Sequence, residues 1–286
     1  MSTVHRILLI GDDLELSGWL REASSLADCE VQTALGEADA LRNLREKAFG
    51  VVLTNPISPV GKDLALFKEM RLIRPGLRTI VLAPAATPEE IIAALRAKVF
   101  ACFTQPFAKQ EIVAMTARAL EEDNWREGID VLSAQRDWIA LRVTCRLLTA
   151  ERLVRFMTEL RSDLPDPERG NLIMAFREML LNAMEHGGGF DSEKVVEVSA
   201  VRTERAIVYH FRDPGPGFQR DALPHAALAN PPEDPLRHVE HRAAQGLRPG
   251  GFGILIAAQL VDELTYNEAG NEVLLIKHTN EHSSSH

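Results

Sequence analysis

Short apolar runs alternate with longer amphipathic stretches through the first 122 residues of the chain. Residues 7–10 (ILLI) are one such run, closed by Gly11, Asp12 and Asp13, and an amphipathic stretch follows over 14–26. The cycle repeats at 51–54, 80–82 and 101–103, each run followed by a helical pattern. Apolar runs of this length bounded by turn residues read as buried strands of a parallel sheet. Strands alternating with helices predict an α/β domain with a doubly wound parallel sheet, covered on both faces. Such sheets gather functional groups just beyond the carboxyl ends of their strands. Asp12, Asp13, Asn55, Ala83 and Gln105 occupy those positions here.

The pattern changes after a charged stretch, 121–127 (EEDNWRE), which reads as a short linker or helix extension. Residues 129–132 and 138–143 flank a polar turn and predict a hairpin that opens a second domain. From 171 to 186 the spacing is helical, with Leu172, Phe176, Leu180 and Ala183 apolar. Glu178, Asn182 and His186 are four apart and therefore share one face of that helix. Glu185 falls on another face and reads as solvated. A strand-like segment at 206–211 leads into Asp213-Pro-Gly-Pro-Gly217, and Gly250-Gly-Phe-Gly253 opens a helical run at 254–261.

A glycine pair alone says little, since turns need glycine. The ordered set is a stronger signal: helical E-x-x-x-N, then D-x-G-x-G, then G-G-x-G at a helix start. Each part suits a nucleotide. Glycines ahead of a helix let backbone N–H groups approach phosphate oxygens, and the helix N-terminus favours their charge. An asparagine oxygen is a good Mg²⁺ ligand that leaves room for phosphate and water. A carboxylate behind a strand can accept the exocyclic amino group of adenine, with a base lying on the glycine backbone.

Two resemblances follow from these residues. Residues 4 to 122 resemble the receiver domain of two-component response regulators, which implies a five-stranded sheet. The acidic pair Asp12-Asp13, Asn55 with Pro59 four residues on, and the Thr104-Gln105-Pro106-Phe107 run carry the likeness. Where that family has a phosphorylatable aspartate, a switch hydroxyl and a lysine, this chain has Asn55, Ala83 and Gln105. An amide cannot take up a phosphoryl group as a nucleophile. The expectation is a pseudo-receiver used for binding or dimerisation, with Asp12 and Asp13 read as residual acids rather than metal ligands.

Residues from about 128 to 280 resemble the GHKL ATPase superfamily, most of all the anti-sigma-factor serine kinases of bacteria. The run Arg177-Glu-Met-Leu-Leu-Asn-Ala-Met-Glu-His-Gly187 is similar to the N box of that family. The resemblance implies an α/β sandwich of the Bergerat type, ATP with Mg²⁺ as cofactors, Mg²⁺ on Asn182 and adenine read by Asp213. It further implies a pocket shaped by Gly215, Gly217, Gly251 and Gly253, and Glu178 as general base. Residues 220–248 would be the lid, with Arg237, Arg242 and Arg248 within it. His238 and His241 lack a third ligand in sequence, so no metal site is expected there.

Composition adds bounds. The 286 residues suggest two domains, assigned to 1–122 and 129–280, with a linker at 123–128 and a tail at 281–286. Net charge is −9, from 32 basic and 41 acidic residues. Neither half has the basic excess that phosphate-backbone binding requires, which argues against nucleic acid. No apolar run approaches a membrane span, and Asp12 comes too soon for a signal peptide. Three scattered cysteines fit a reducing cytoplasm. No histidine lies between His5 and His186, which argues against autophosphorylation on a histidine helix ahead of the ATPase domain. The expected function is an ATP-dependent Ser/Thr kinase of anti-sigma type. Its partner would be an anti-anti-sigma or sigma-factor-like protein or another regulator, with a homodimer possible by family likeness. The alternative is a non-catalytic nucleotide-sensing module.

Overall fold

The computed structural model describes residues 5–121, 128–161, 163–217 and 253–279. The chain divides into two compact units, residues 1–127 with 155–160, and residues 128–154 with 161–286.

The first unit is built around five parallel strands: β1 (His5–Ile10), β2 (Cys29–Ala34), β3 (Val51–Leu53), β4 (Arg78–Ala83) and β5 (Ala101–Thr104). Their order is β2-β1-β3-β4-β5, all in parallel register. This is the flavodoxin-like doubly wound order, whose switch point lies between β1 and β3. The three inner strands are buried beyond their first residues, with Leu8, Val52 and Val81 at no exposure, as a sheet covered on both faces demands. β2 went unread in the sequence because it is an edge strand, with a mixed polar pattern and only Ala34 buried.

Helices α1 (Leu14–Glu22), α2 (Glu37–Glu46), α3 (Val60–Ile73), α4 (Pro88–Arg96) and α5 (Lys109–Glu121) connect and follow the strands. The stretch 14–26 is not one helix: α1 stops at Glu22, Ala23 is extended, and Ser24–Leu26 makes a separate 3₁₀ turn. The start of α4 carries a capping box. The Thr87 hydroxyl accepts from Glu90 N at 3.2 Å, and the Glu90 carboxylate accepts from Thr87 N at 2.9 Å.

The second unit is a two-layer α/β sandwich with an entirely antiparallel six-stranded sheet. Its strands are β6 (Ile129–Gln135), β7 (Trp138–Thr144), β8 (Val195–Arg202), β9 (Ala206–Arg212), β10 (Glu263–Tyr266) and β11 (Glu272–His278), in the order β10-β11-β9-β8-β7-β6. The hairpin expected at 129–143 is β6 and β7, joined by a two-residue turn. Strands β8, β10 and β11 were not read from sequence. Helices α6 (Leu147–Leu160), α7 (Asp166–Asn182) and α8 (Gly253–Leu260) complete the described elements. Phe176 of α7 meets Tyr209 and Phe211 of β9 at centroid distances of 4.9 and 5.1 Å, and all three rings are fully buried. Edge-on and tilted aromatic contacts of this kind anchor the helix layer on the sheet.

Candidate functional site

The glycine run 187–189 ends α7, and the termination is not an ordinary one. Residues Ala183–Gly187 form a π turn, closed by Gly188 N donating to the Ala183 carbonyl at 3.0 Å. Glu178 and Asn182 precede this turn, so they keep their shared face. His186 lies inside the turn. Glu185, read as solvated, is instead buried within this turn at 8% exposure.

Helix α8 begins against the retained pair. A Cβ placed on Gly253 would lie 2.7 Å from Glu178 Oε2 and 3.3 Å from Asn182 Nδ2. The N-terminus of α8 thus meets both polar groups of α7, and a side chain at Gly253 would have to displace the Glu178 carboxylate. Glu178 is mostly enclosed, and its Oε1 accepts a hydrogen bond from Arg177 Nη1 at 2.9 Å.

Asp213 leaves the end of β9, and its Oδ1 accepts from Gly215 N at 2.8 Å. Burial pushes its carboxyl above the usual carboxylate range, and the Gly215 N–H partly offsets this. A Cβ on Gly187 would lie 2.2 Å from Asp213 Oδ1, and one on Gly215 would lie 2.8 Å from the Gly187 Cα. The π turn and the D-x-G-x-G turn are therefore in direct backbone contact, with Asp213 between them. Gly217 has φ +82°, and a Cβ there would fall 1.8 Å from the Ala269 carbonyl oxygen. The β10–β11 connection so supports this turn from below, helped by Asp213 N donating to the Asn271 carbonyl.

Sequence reading named Glu178, Asn182, Asp213, Gly215, Gly217 and Gly253, and the fold gathers them into two adjoining clusters joined through Gly187. Gly187 was missed as a wall residue, although the run of three glycines marked it. Cys145 was also missed: its Sγ would be 2.3 Å from a Cβ on Gly188, and burial pushes its thiol up to about 11. Gly251, the lid at 220–248, residues 123–127 of the linker and the tail lie outside the described residues.

A nucleotide fits what is present. Glycines let the backbone of two turns and one helix start come close to the carboxylates and the amide, a helix N-terminus faces two oxygen-bearing side chains, and Asp213 is a half-buried carboxylate. Among the described residues, no three His, Cys, Asp or Glu side chains cluster as a preformed metal site.

At the carboxyl ends of β1 and β3 the polar groups are differently used. Asp13 caps α1 by accepting from Leu16 N at 2.8 Å, while Asp12 is exposed. Asn55 accepts from Ile57 N at 3.1 Å, closing its own turn, and lies against Gly11, whose φ is +103°. Ala83 is fully buried and Gln105 is exposed. Beneath them Asp63 of α3 is 3% exposed, with one carboxylate oxygen lacking a hydrogen-bond partner, and burial raises its pKa.

Residues 143–277 match the histidine kinase-like ATPase domain family. Over 154 residues, 52% of the chain, it is 27% identical to the transcriptional regulatory protein GlrR of Escherichia coli, of which it covers 33%. It is 27% identical over 109 residues to the transcriptional regulatory protein PrrA of Mycobacterium leprae, covering 38% of this chain and 47% of that one. Over 60 residues, 21% of the chain, it is 42% identical to the signal transduction histidine-protein kinase AfsQ2 of Streptomyces coelicolor, covering 10% of it. The chain thus spans less than half the length of each of these relatives. Among solved structures, the HemR receiver domain of Leptospira biflexa aligns at TM-score 0.38 and 22% identity, over 43% of this chain and 98% of that one.

Proposed function

We propose that the second unit binds Mg²⁺-ATP and transfers its γ-phosphoryl group to a serine or threonine of a partner protein, in the manner of an anti-sigma-factor kinase. The observation that carries this reading is the joint placement of Glu178 and Asn182 against the α8 N-terminus. Asp213 would read the adenine amino group between Gly187 and Gly215, and Asn182 would hold the metal. Bound Mg²⁺ would supply charge neutralisation on the phosphates. Glu178 orients the attacking hydroxyl and takes its proton as the new O–P bond forms and ADP leaves. Transfer of this kind depends mostly on positioning, which suits a site whose walls are backbone.

The first unit docks the partner or sets the dimer, without taking phosphate. Asn55 offers an amide, Asp13 is engaged as a helix cap, and Asp63 is too buried to meet a phosphodonor. The partner is an anti-anti-sigma or sigma-factor-like protein, or another regulator.

One contact favours the second reading, a nucleotide sensor without transfer: the Arg177–Glu178 ion pair engages the carboxylate that would act as base. Incubation with γ-labelled ATP and cell extract separates the two. A labelled protein that appears with wild type and disappears with Glu178→Gln, while ATP binding persists, supports the kinase. Unlabelled extract with intact ATP binding supports the sensor. Equal labelling by both forms removes Glu178 from the mechanism.

A further inference from the structure

Each helix of the first unit carries an acid in its first turn and an arginine in its last: Arg21, Arg45, Arg71, Arg96 and Arg118. Every such pair complements a helix dipole. Because the five strands are parallel, each helix runs back toward the amino end of the sheet, and the basic ends collect there. α3 packs between α2 and α4, so three of those ends lie side by side.

Arginines of α3 tie the three together. Arg74 Nε donates to the Leu44 carbonyl of α2 at 3.1 Å, and Arg71 Nη1 donates to the Ala97 carbonyl, the C-cap of α4, at 3.3 Å. Open helix carbonyls are thereby satisfied. Capping does not account for the charge. Segments 45–47, 68–74 and 96–98 hold seven basic and two acidic residues in a chain of net charge −9. Three helix C-termini bring roughly −1.5 in partial charge, well short of that excess. Ion pairing does not account for it either. Elsewhere in the unit Arg6, Arg42, Lys62, Lys109 and Arg118 each pair with a carboxylate. Arg45, Lys47, Lys68 and Arg74 are exposed, and among the described residues none of them meets one. Leu72 stands one turn beyond Lys68 on the same face of α3, at 86% exposure.

We propose that this end of the first unit docks an acidic segment of a partner protein, with Leu72 receiving an aliphatic side chain from it. Charge complementarity selects the occupant. Arg74 keeps N–H donors beyond the two it gives to carbonyls, and a carboxylate suits them. A phosphate backbone would satisfy the cations but offers nothing apolar to Leu72. An acidic segment bearing leucine or isoleucine satisfies both. The inference gives the docking role proposed for the first unit a place and a partner chemistry, and to that extent rests on that reading; phosphoryl transfer does not enter it.

Fluorescence anisotropy of the full chain with labelled synthetic peptides tests it, with thermal melting as the control for folding. One peptide is glutamate-rich with leucine at helical spacing, and the other has serine in place of leucine. Wild type is expected to bind the leucine peptide in the micromolar range, and more weakly as salt rises. The Arg45 and Lys68 side chains make no hydrogen bond or ion pair among the described residues, so the fold tolerates their loss. Arg45→Glu/Lys68→Glu should weaken both peptides by about tenfold or more. Leu72→Ser should weaken the leucine peptide by about fivefold and leave the serine peptide unchanged. Arg21→Glu/Arg205→Glu makes the same change in net charge away from this surface and should alter neither by more than about twofold. Equal losses in the two double variants, or binding untouched by Arg45→Glu/Lys68→Glu, overturn this surface and leave the docking role to another face. An equal response of both peptides to Leu72→Ser overturns the apolar contact. Neither peptide binding at roughly 100 μM overturns the acidic partner, as does an oligothymidylate or a phosphatidylglycerol vesicle bound through these residues in the peptides' stead.

Discussion

The two units carry acids and amides in comparable places, at the ends of β1 and β3 in one and behind β9 and along α7 in the other, yet they use them in opposite ways. In the first unit the polar groups serve the fold: Asp13 caps a helix, Asn55 closes a turn and Asp63 is sealed in the core. In the second, Glu178 and Asn182 pack against Gly253 and Asp213 against Gly187, while Asp213 Oδ1 also accepts from Gly215 N. What differs is the neighbours: a helix cap and the core in one unit, close glycine backbone in the other. Chemistry is therefore better read from what surrounds a carboxylate than from its presence in a motif.

The largest expected effect that sharpens this contrast is at Gly217. Alanine there must adopt φ +82° and meet the Ala269 carbonyl, so Gly217→Ala should destabilise the second unit by roughly 3 kcal/mol or more. Denaturant unfolding of that unit measures it, and a loss well below this would mean the turn relaxes freely. Next, Mg²⁺-ATP at about 100 times its Kd should add roughly 2.7 kcal/mol to wild type and almost nothing to Asp213→Asn. A thermal-shift titration compares the two, and equal shifts would move adenine recognition elsewhere.

A smaller effect concerns Asp63, whose native pKa lies above its unfolded value of 3.8. The folded state then holds the proton more tightly. The stability this confers is fully present below the unfolded value and is lost as pH rises through the native one. Thr54 and Ser58 hydroxyls and Lys62 pull the native value down, and Glu37 pushes it up. Chemical denaturation from acid to neutral pH should show this decline in wild type and a flatter profile in Asp63→Asn. Smallest is Thr87→Ala, which removes the capping box of α4 and should cost the first unit about 1 kcal/mol while leaving nucleotide binding untouched.

Much of this was legible before any coordinates. The inner strands of the first unit carry continuous apolar runs because both faces are covered, and such runs are hard to mistake. β2 escaped because an edge strand obeys no such demand. In the second unit, E-x-x-x-N and D-x-G-x-G announced the site, since glycine and carboxylate roles depend on short spacings. The π turn did not announce itself: nothing in Ala183–Gly187 separates i→i+5 bonding from α-helix. Glu185, within that turn, is buried where its spacing read as solvated.

By itself, then, the sequence determined the alternation of strands and helices, the helical register of Glu178 with Asn182, and the glycine positions, because these depend on neighbours a few residues apart. Only the tertiary structure decided that Gly253 meets Glu178, that Gly187 touches Asp213, and that Trp138, Val201, Val208 and Ile276 share a row. Those are contacts between residues far apart in the chain, set by strand order and register. Local spacing carries no information about them.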